Sequence, residues 1–156
     1  MKTTRTLLVA AALSLTAAAV AFAASPHLGT WKLNQSKSKL APGAGKNEIV
    51  TYTEGTAGMI KLTADGVDKD GKRTRWTWEG KFDAKPYKVE GSTMLDTIAY
   101  KPVNDHTNNL TGVKDGKTVM TGTITVAKDG KSRVVTTTRT DENGKKETTK
   151  TYYDKE

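Results

Sequence analysis

Lys114-Asp115-Gly116-Lys117-Thr118-Val119-Met120-Thr121-Gly122-Thr123-Ile124-Thr125-Val126-Ala127-Lys128-Asp129-Gly130-Lys131 reads as one strand held between two turns. Each Asp-Gly pair supplies the positive φ angles that a tight hairpin needs. Between them, Met120, Gly122, Ile124 and Val126 alternate with threonines, the period of a strand with one enclosed face. The same punctuation recurs outward from this stretch. Lys69-Asp70-Gly71-Lys72 repeats it upstream and Glu142-Asn143-Gly144-Lys145 varies it downstream, so four hairpins are expected.

Alternation assigns faces to the flanking strands. On 73–82, Thr74, Trp76, Trp78, Gly80 and Phe82 point in, and Arg73, Arg75, Thr77, Glu79 and Lys81 point out. On 132–140 the uncharged set Val134, Thr136 and Thr138 is assigned inward, with Arg133 and Arg139 outward. On 147–153, Thr149, Thr151 and Tyr153 form one face, and Glu147 is placed with Thr148, Lys150 and Tyr152 on the other. Weaker strands fit 29–33, 47–54, 59–65, 87–90, 96–103 and 107–113, and no long segment has helical periodicity. The fold class expected is all-β, an antiparallel up-and-down barrel of about eight to ten strands, because closure removes exposed edges. A barrel of that size is filled by side chains or holds one small ligand. The segment 34–46, with Pro42, Gly43 and Gly45, is a loop expected to lie across the mouth.

The first 23 residues stand apart. Lys2 and Arg5 precede an apolar run from Leu7 to Ala19, and Ala21-Phe22-Ala23 places small residues where a signal peptidase cuts. A cleaved signal peptide (1–23) and one barrel domain (24–156) are expected, with a periplasmic or secreted destination. The chain has no cysteine, hence neither a lipid-acceptor thiol nor a disulfide framework. Its net charge of +8, lowered by two on losing Lys2 and Arg5, favours weak contact with an anionic envelope surface. Few large aliphatic residues and this charge would suit a disordered chain, but the regular alternation argues for a sheet with a partly polar interior.

Two short motifs carry a family resemblance. Gly29-Thr30-Trp31 on the first strand resembles the Gly-x-Trp motif of the calycins, the lipocalins and fatty-acid-binding proteins. Tyr153-Asp154-Lys155 is similar to the ending of the fatty-acid-binding proteins. Residues 28–156 as a whole resemble the small exported lipocalin-like proteins of bacteria. The resemblance implies that Gly29 and Trp31 are structural, Trp31 closing one end of a barrel. In fatty-acid-binding proteins an Arg two residues before the Tyr binds the ligand carboxylate. Here Thr151 stands at that place, so no such clamp is implied.

Each chemical signature in the chain has a plainer reading. Asp105-His106 has no accompanying nucleophile elbow and reads as a turn. His27, beside Pro26 with its missing amide, does not suit an N-terminal copper site. Asp65, Asp68 and Asp70 lack the twelfth-position Glu of a calcium loop, where Thr77 stands. Arg73, Arg75, Trp76 and Trp78 alternate in parity, whereas a nucleic-acid stacking platform needs both types on one face. No catalytic residue, metal, cofactor or nucleic acid is therefore expected. The inward residues Trp76, Trp78, Tyr100, Met120 and Tyr153 are the ligand-contact candidates, aromatics with polar tips among threonines suiting a half-wet cavity. The leading expectation is a monomeric barrel that binds a small, mostly apolar ligand without catalysis. The alternative is a filled barrel docking on an anionic envelope partner through Arg73, Arg75, Lys81, Arg133 and Arg139.

Overall fold

The computed structural model describes residues 24–40, 43–141 and 143–156; the expected signal peptide lies outside them. The strands are β1 (Gly29–Leu33), β2 (Lys46–Glu54), β3 (Ile60–Val67), β4 (Arg73–Gly80), β5 (Pro86–Glu90), β6 (Thr97–Asn104), β7 (Thr107–Lys114), β8 (Lys117–Val126), β9 (Ser132–Thr140) and β10 (Lys146–Lys155). They form a closed antiparallel barrel in which every strand pairs with its sequence neighbours and β10 returns to β1. Trp31 lies at the seam, its Cα opposite Lys155 on one side and Val50 on the other.

The turns divide by chemistry. Asp115 and Gly116 both have positive φ, 48° and 72°, and close a two-residue hairpin with Lys114 opposite Lys117. The β3–β4, β8–β9 and β9–β10 turns are longer, with glycine alone at positive φ. In the first and last of these a carboxylate one step earlier organises the loop. Asp68 accepts the amides of Asp70 and Lys72 at 2.8 and 2.9 Å, and Asp141 accepts those of Asn143 and Lys145 at 2.9 and 2.8 Å.

Register corrects the faces assigned to β9. Val126, Ile124, Gly122 and Met120 stand opposite Arg133, Val135, Thr137 and Arg139. Opposed residues share a face, so the inward set of β9 is Arg133, Val135, Thr137 and Arg139, and Val134, Thr136 and Thr138 point outward. Alternation alone favoured the uncharged set, but the apolar face of β8 decides the pairing. Glu147 likewise shares the face of Thr149, Thr151 and Tyr153, since its Cα partner is Arg139. A bulge between Asn47 and Ile49 shifts β2 by one residue, which turns Asn47 inward, opposite Gly66.

The first part of the loop expected across the mouth, residues 34–40, follows the wall instead. β1 stops after five residues, while β10 runs for ten. Lys39 pairs with Lys150 in that gap, and Ser38 Oγ accepts the Tyr152 amide at 2.9 Å. The segment thus occupies the place that a longer β1 would fill.

Close backbone approach explains one interior glycine. A Cβ on Gly66 would run into the Lys46 carbonyl oxygen on the bulged strand. Gly66→Ala should therefore destabilise the fold by about 2 kcal/mol, read as a lower urea midpoint at unchanged slope. A midpoint equal to that of the parent would show that the β2 bulge is not constrained there.

Candidate functional site

The two ends of the barrel differ. At the end holding the starts of β1 and β9, aromatic side chains fill the interior. Trp78 meets Tyr100 edge-on at 4.9 Å and Phe82 in a stacked arrangement at 6.3 Å, and Phe82 also packs on His27 and Tyr52. Trp31 is fully buried and donates its indole N–H to the His27 carbonyl at 2.9 Å, which draws the segment before β1 under this end. Arg133, 2% exposed, lies over the rings of Trp31, Tyr52 and Tyr153 at 4.8, 5.2 and 4.8 Å. Three rings attract the guanidinium through their π faces and offset part of its desolvation.

At the opposite end, inward-facing side chains remain wet. Val135, Thr137, Thr149 and Thr151 point into the barrel from β9 and β10, yet all four are only half-buried. Thr74 and Trp76 on β4 are half-buried as well, and Arg139 and Glu147 are exposed at the rim. Among the inward positions of β10, only Tyr153 is buried. The polar atoms of this cup are tied to its wall. Thr137 and Thr149 share a hydroxyl–hydroxyl hydrogen bond of 2.9 Å, and Thr151 donates to the Val135 carbonyl at 3.2 Å. Trp76 donates to Asn47 Oδ1 at 3.1 Å, and Tyr153 donates to the Asn47 carbonyl at the same distance. One residue thus orients the cup's largest aromatic and its floor.

A segment crosses the mouth, and it is not the one expected. Met94, in the connection between β5 and β6, accepts from Arg139 Nη1 at 3.2 Å. Arg139 belongs to β9, separated from β6 by β7 and β8. The segment after β5 therefore leans over the opening, with Met94 56% exposed. Its base is fastened by Asp96, which accepts from Lys114 Nζ and from the Asp115 amide, each at 2.7 Å. Those two donors hold the Asp96 carboxyl below its ordinary range.

The five ligand-contact candidates fall into two groups. Trp76 and Met120 stand near the open end, Met120 against Gly112, and Tyr153 forms the floor. Trp78 and Tyr100 lie in the aromatic cluster at the closed end, where Trp78 donates to the Ile98 carbonyl at 3.0 Å. Asn47, Thr137, Met94 and Arg139 join the site unannounced by sequence. No local pattern marks the bulge at Asn47 or the reach of Met94. Two clefts of about 330 and 400 Å³ lie elsewhere, one along the β1–β10 seam and one lined by Gln35, Leu40, Gly43, Val67 and Asp68. Among the described residues no group of three or more His, Cys, Asp or Glu is placed to hold a metal ion.

No family model matches the chain, and none of the curated proteins matches it.

His27 makes the closed end sensitive to acid. Burial first, then the charges of Arg133, His106 and Lys155, push its imidazole from the ordinary 6.5 down to about 4. The folded chain therefore resists a proton that the unfolded chain accepts. Stability is fully present above pH 6.5 and is lost as pH falls toward 4, by up to about 3 kcal/mol. Urea midpoints at pH 7.5 and 4.5 check this against His27→Gln, which should lose less on acidification because the buried proton site is gone. Equal losses in the two proteins would mean that His27 is not the group responsible.

Proposed function

We propose that this chain is an exported, lipocalin-like barrel that takes a small, mostly apolar molecule into its open end and holds it without transforming it. The observation that carries this reading is the row of inward yet half-wet side chains on β9 and β10, facing Trp76 and Met120. Trp76 and Met120 offer polarisable apolar contact, while Thr137, Thr149 and Asn47 supply a few hydroxyl and amide groups to orient a guest. Leaning across the opening, Met94 provides a flexible apolar cover. The Gly-x-Trp start and the Tyr-acidic-Lys ending support the calycin resemblance, and the N-terminal run supports export to the periplasm or medium.

The alternative of a basic outer face loses most of its residues. Arg133 and Arg139 face inward, and Arg73 and Arg75 are engaged by Glu48 at 2.6 Å and Asp65 at 2.8 Å. Of the five cations expected on that face, Lys81 alone is neither turned inward by the register nor engaged in an ion pair among the described residues.

Native mass spectrometry of protein taken from the expressing cell's own envelope should show an added mass that denaturation releases. With a neutral hydrophobic dye as probe, Trp76→Ala should weaken binding about tenfold, through lost aromatic contact in the cup. Arg75→Ala, on the outside, should leave it unchanged. Affinity should shift less than about twofold between 50 and 500 mM salt, since an apolar guest in a barrel is not screened. A steep salt dependence, or equal binding by the Trp76 variant, would count against the cup.

A further inference from the structure

Among the described residues, the buried side-chain polar atoms without a hydrogen-bond partner are all nitrogens: His27 Nε2, His106 Nδ1, Asn108 Nδ2, and Arg133 Nε and Nη1. They belong to the closed end. His106 precedes β7 and its carbonyl accepts the Val126 amide at 2.8 Å; Val126 in turn stands opposite Arg133. Asn108 follows two residues later, 2% exposed, and His27 lies close enough to feel the charges of Arg133, His106 and Lys155. Lys155 Nζ is placed 5.0 Å over the far ring partner, Trp31, and reaches the Pro26 carbonyl at 3.4 Å.

Such a cluster has a definite electrostatic character. Arg133 is permanently charged and Lys155 is a second cation, yet neither forms an ion pair among the described residues. Tyrosines do not supply the missing negative charge, because burial pushes the Tyr100 and Tyr153 phenols above their ordinary range and keeps them neutral. Ring faces attract the guanidinium but accept nothing from its in-plane N–H groups. Buried donors left unmade are costly, and a buried charge left unpaired is more so. Water could satisfy the donors but would leave the charge uncompensated. An oxyanion does both.

We propose that the closed end is a binding site for a small tetrahedral oxyanion of the sulfate or phosphate type, gripped by Arg133 Nε and Nη1, His27, His106 and Asn108. The ion is a free one, since residues 25–28 cover this end and Trp31 ties them down through the His27 carbonyl. Each imidazole joins as a donor by carrying its proton on the free nitrogen. The site is separate from the open cup, with the rings of Trp31, Tyr52 and Tyr153 packed about Arg133 between them.

Sulfate is the probe of choice, because its charge does not change between pH 5 and 8, whereas that of phosphate does. The chain has two histidines, so its imidazole carbon–proton spectrum holds only two sets of signals. Titrating sodium sulfate against sodium chloride at equal ionic strength should move both sets saturably. Half-saturation should fall below about 10 mM, well under the range where sulfate acts by general exclusion. The apparent pKa of His27 should rise by about one unit or more with the anion bound. Arg133→Met should abolish the saturable response. Should that variant not fold, His106→Gln, in a half-exposed turn, should weaken binding at least fivefold, read at His27. Shifts that are absent, that grow linearly, that chloride reproduces, or that persist unchanged in the folded variants would overturn the proposal and leave buried water as the acceptor.

Discussion

The guanidinium of Arg133 is the contact on which the barrel's closure turns. Its three ring partners, Trp31, Tyr52 and Tyr153, come from β1, β2 and β10, and Arg133 itself comes from β9. Those four strands are consecutive around the barrel and span the seam at which the last strand meets the first. The seam is a thin part of the ladder, because β1 contributes only five residues and pairs with β10 at three positions. A single side chain that reaches across all four strands compensates for the few backbone hydrogen bonds available there. It does so by a non-directional attraction that tolerates the strong twist of a short strand. The same charge acts on its surroundings: after burial it is the next cause that keeps His27 neutral, and it gives the closed end its positive character.

How far the sequence reveals this depends on the range of the interaction that decides each element. Turns are local. Asp115-Gly116 needs nothing beyond its own two residues to be recognised, and the ten-strand meander follows from such turns together with the alternation on β4 and β8. Faces are local only when one face is plainly apolar. β4 is unambiguous because Trp76 and Trp78 alternate with Arg75 and Glu79. β9 offers valine or threonine on both faces with arginine at the ends of one, so its orientation is decided by pairing with β8, which a single strand does not disclose. Glu147 follows from the same ladder.

Other parts of the site are illegible for different reasons. Asn47 enters the cup because of a bulge, and a bulge is an agreement between two strands rather than a property of one. Met94 reaches Arg139 across β7 and β8, a contact set by barrel curvature and loop length. Trp31, by contrast, is recognisable in its Gly-x-Trp setting, and the structure places it fully buried at the seam. The two tyrosines and the arginine grouped with it come from three other strands, so no local pattern announces them.

The division of the barrel into a packed end and a wet end follows from composition. Aromatic residues make up 6% of the chain, too few to fill a ten-stranded interior. Of those the structure describes, only Trp76 and Tyr152 stand outside the cluster formed by Trp31, Tyr52, Trp78, Phe82, Tyr87, Tyr100 and Tyr153. Concentrating the large rings at one end gives each several neighbours, and aromatic pairs contribute about 1 kcal/mol apiece beyond the area they bury. Dispersing them would leave every ring partly wet and none of the pairs made. What remains for the other end is threonine, small enough to leave space and able to satisfy its hydroxyl against a neighbouring strand, as Thr137 does with Thr149. A β-branched side chain keeps the strand stable while its interior face stays polar. The half-wet end is therefore the complement of the packed one: a chain with few apolar side chains packs one end of its barrel with rings and lines the other with threonine.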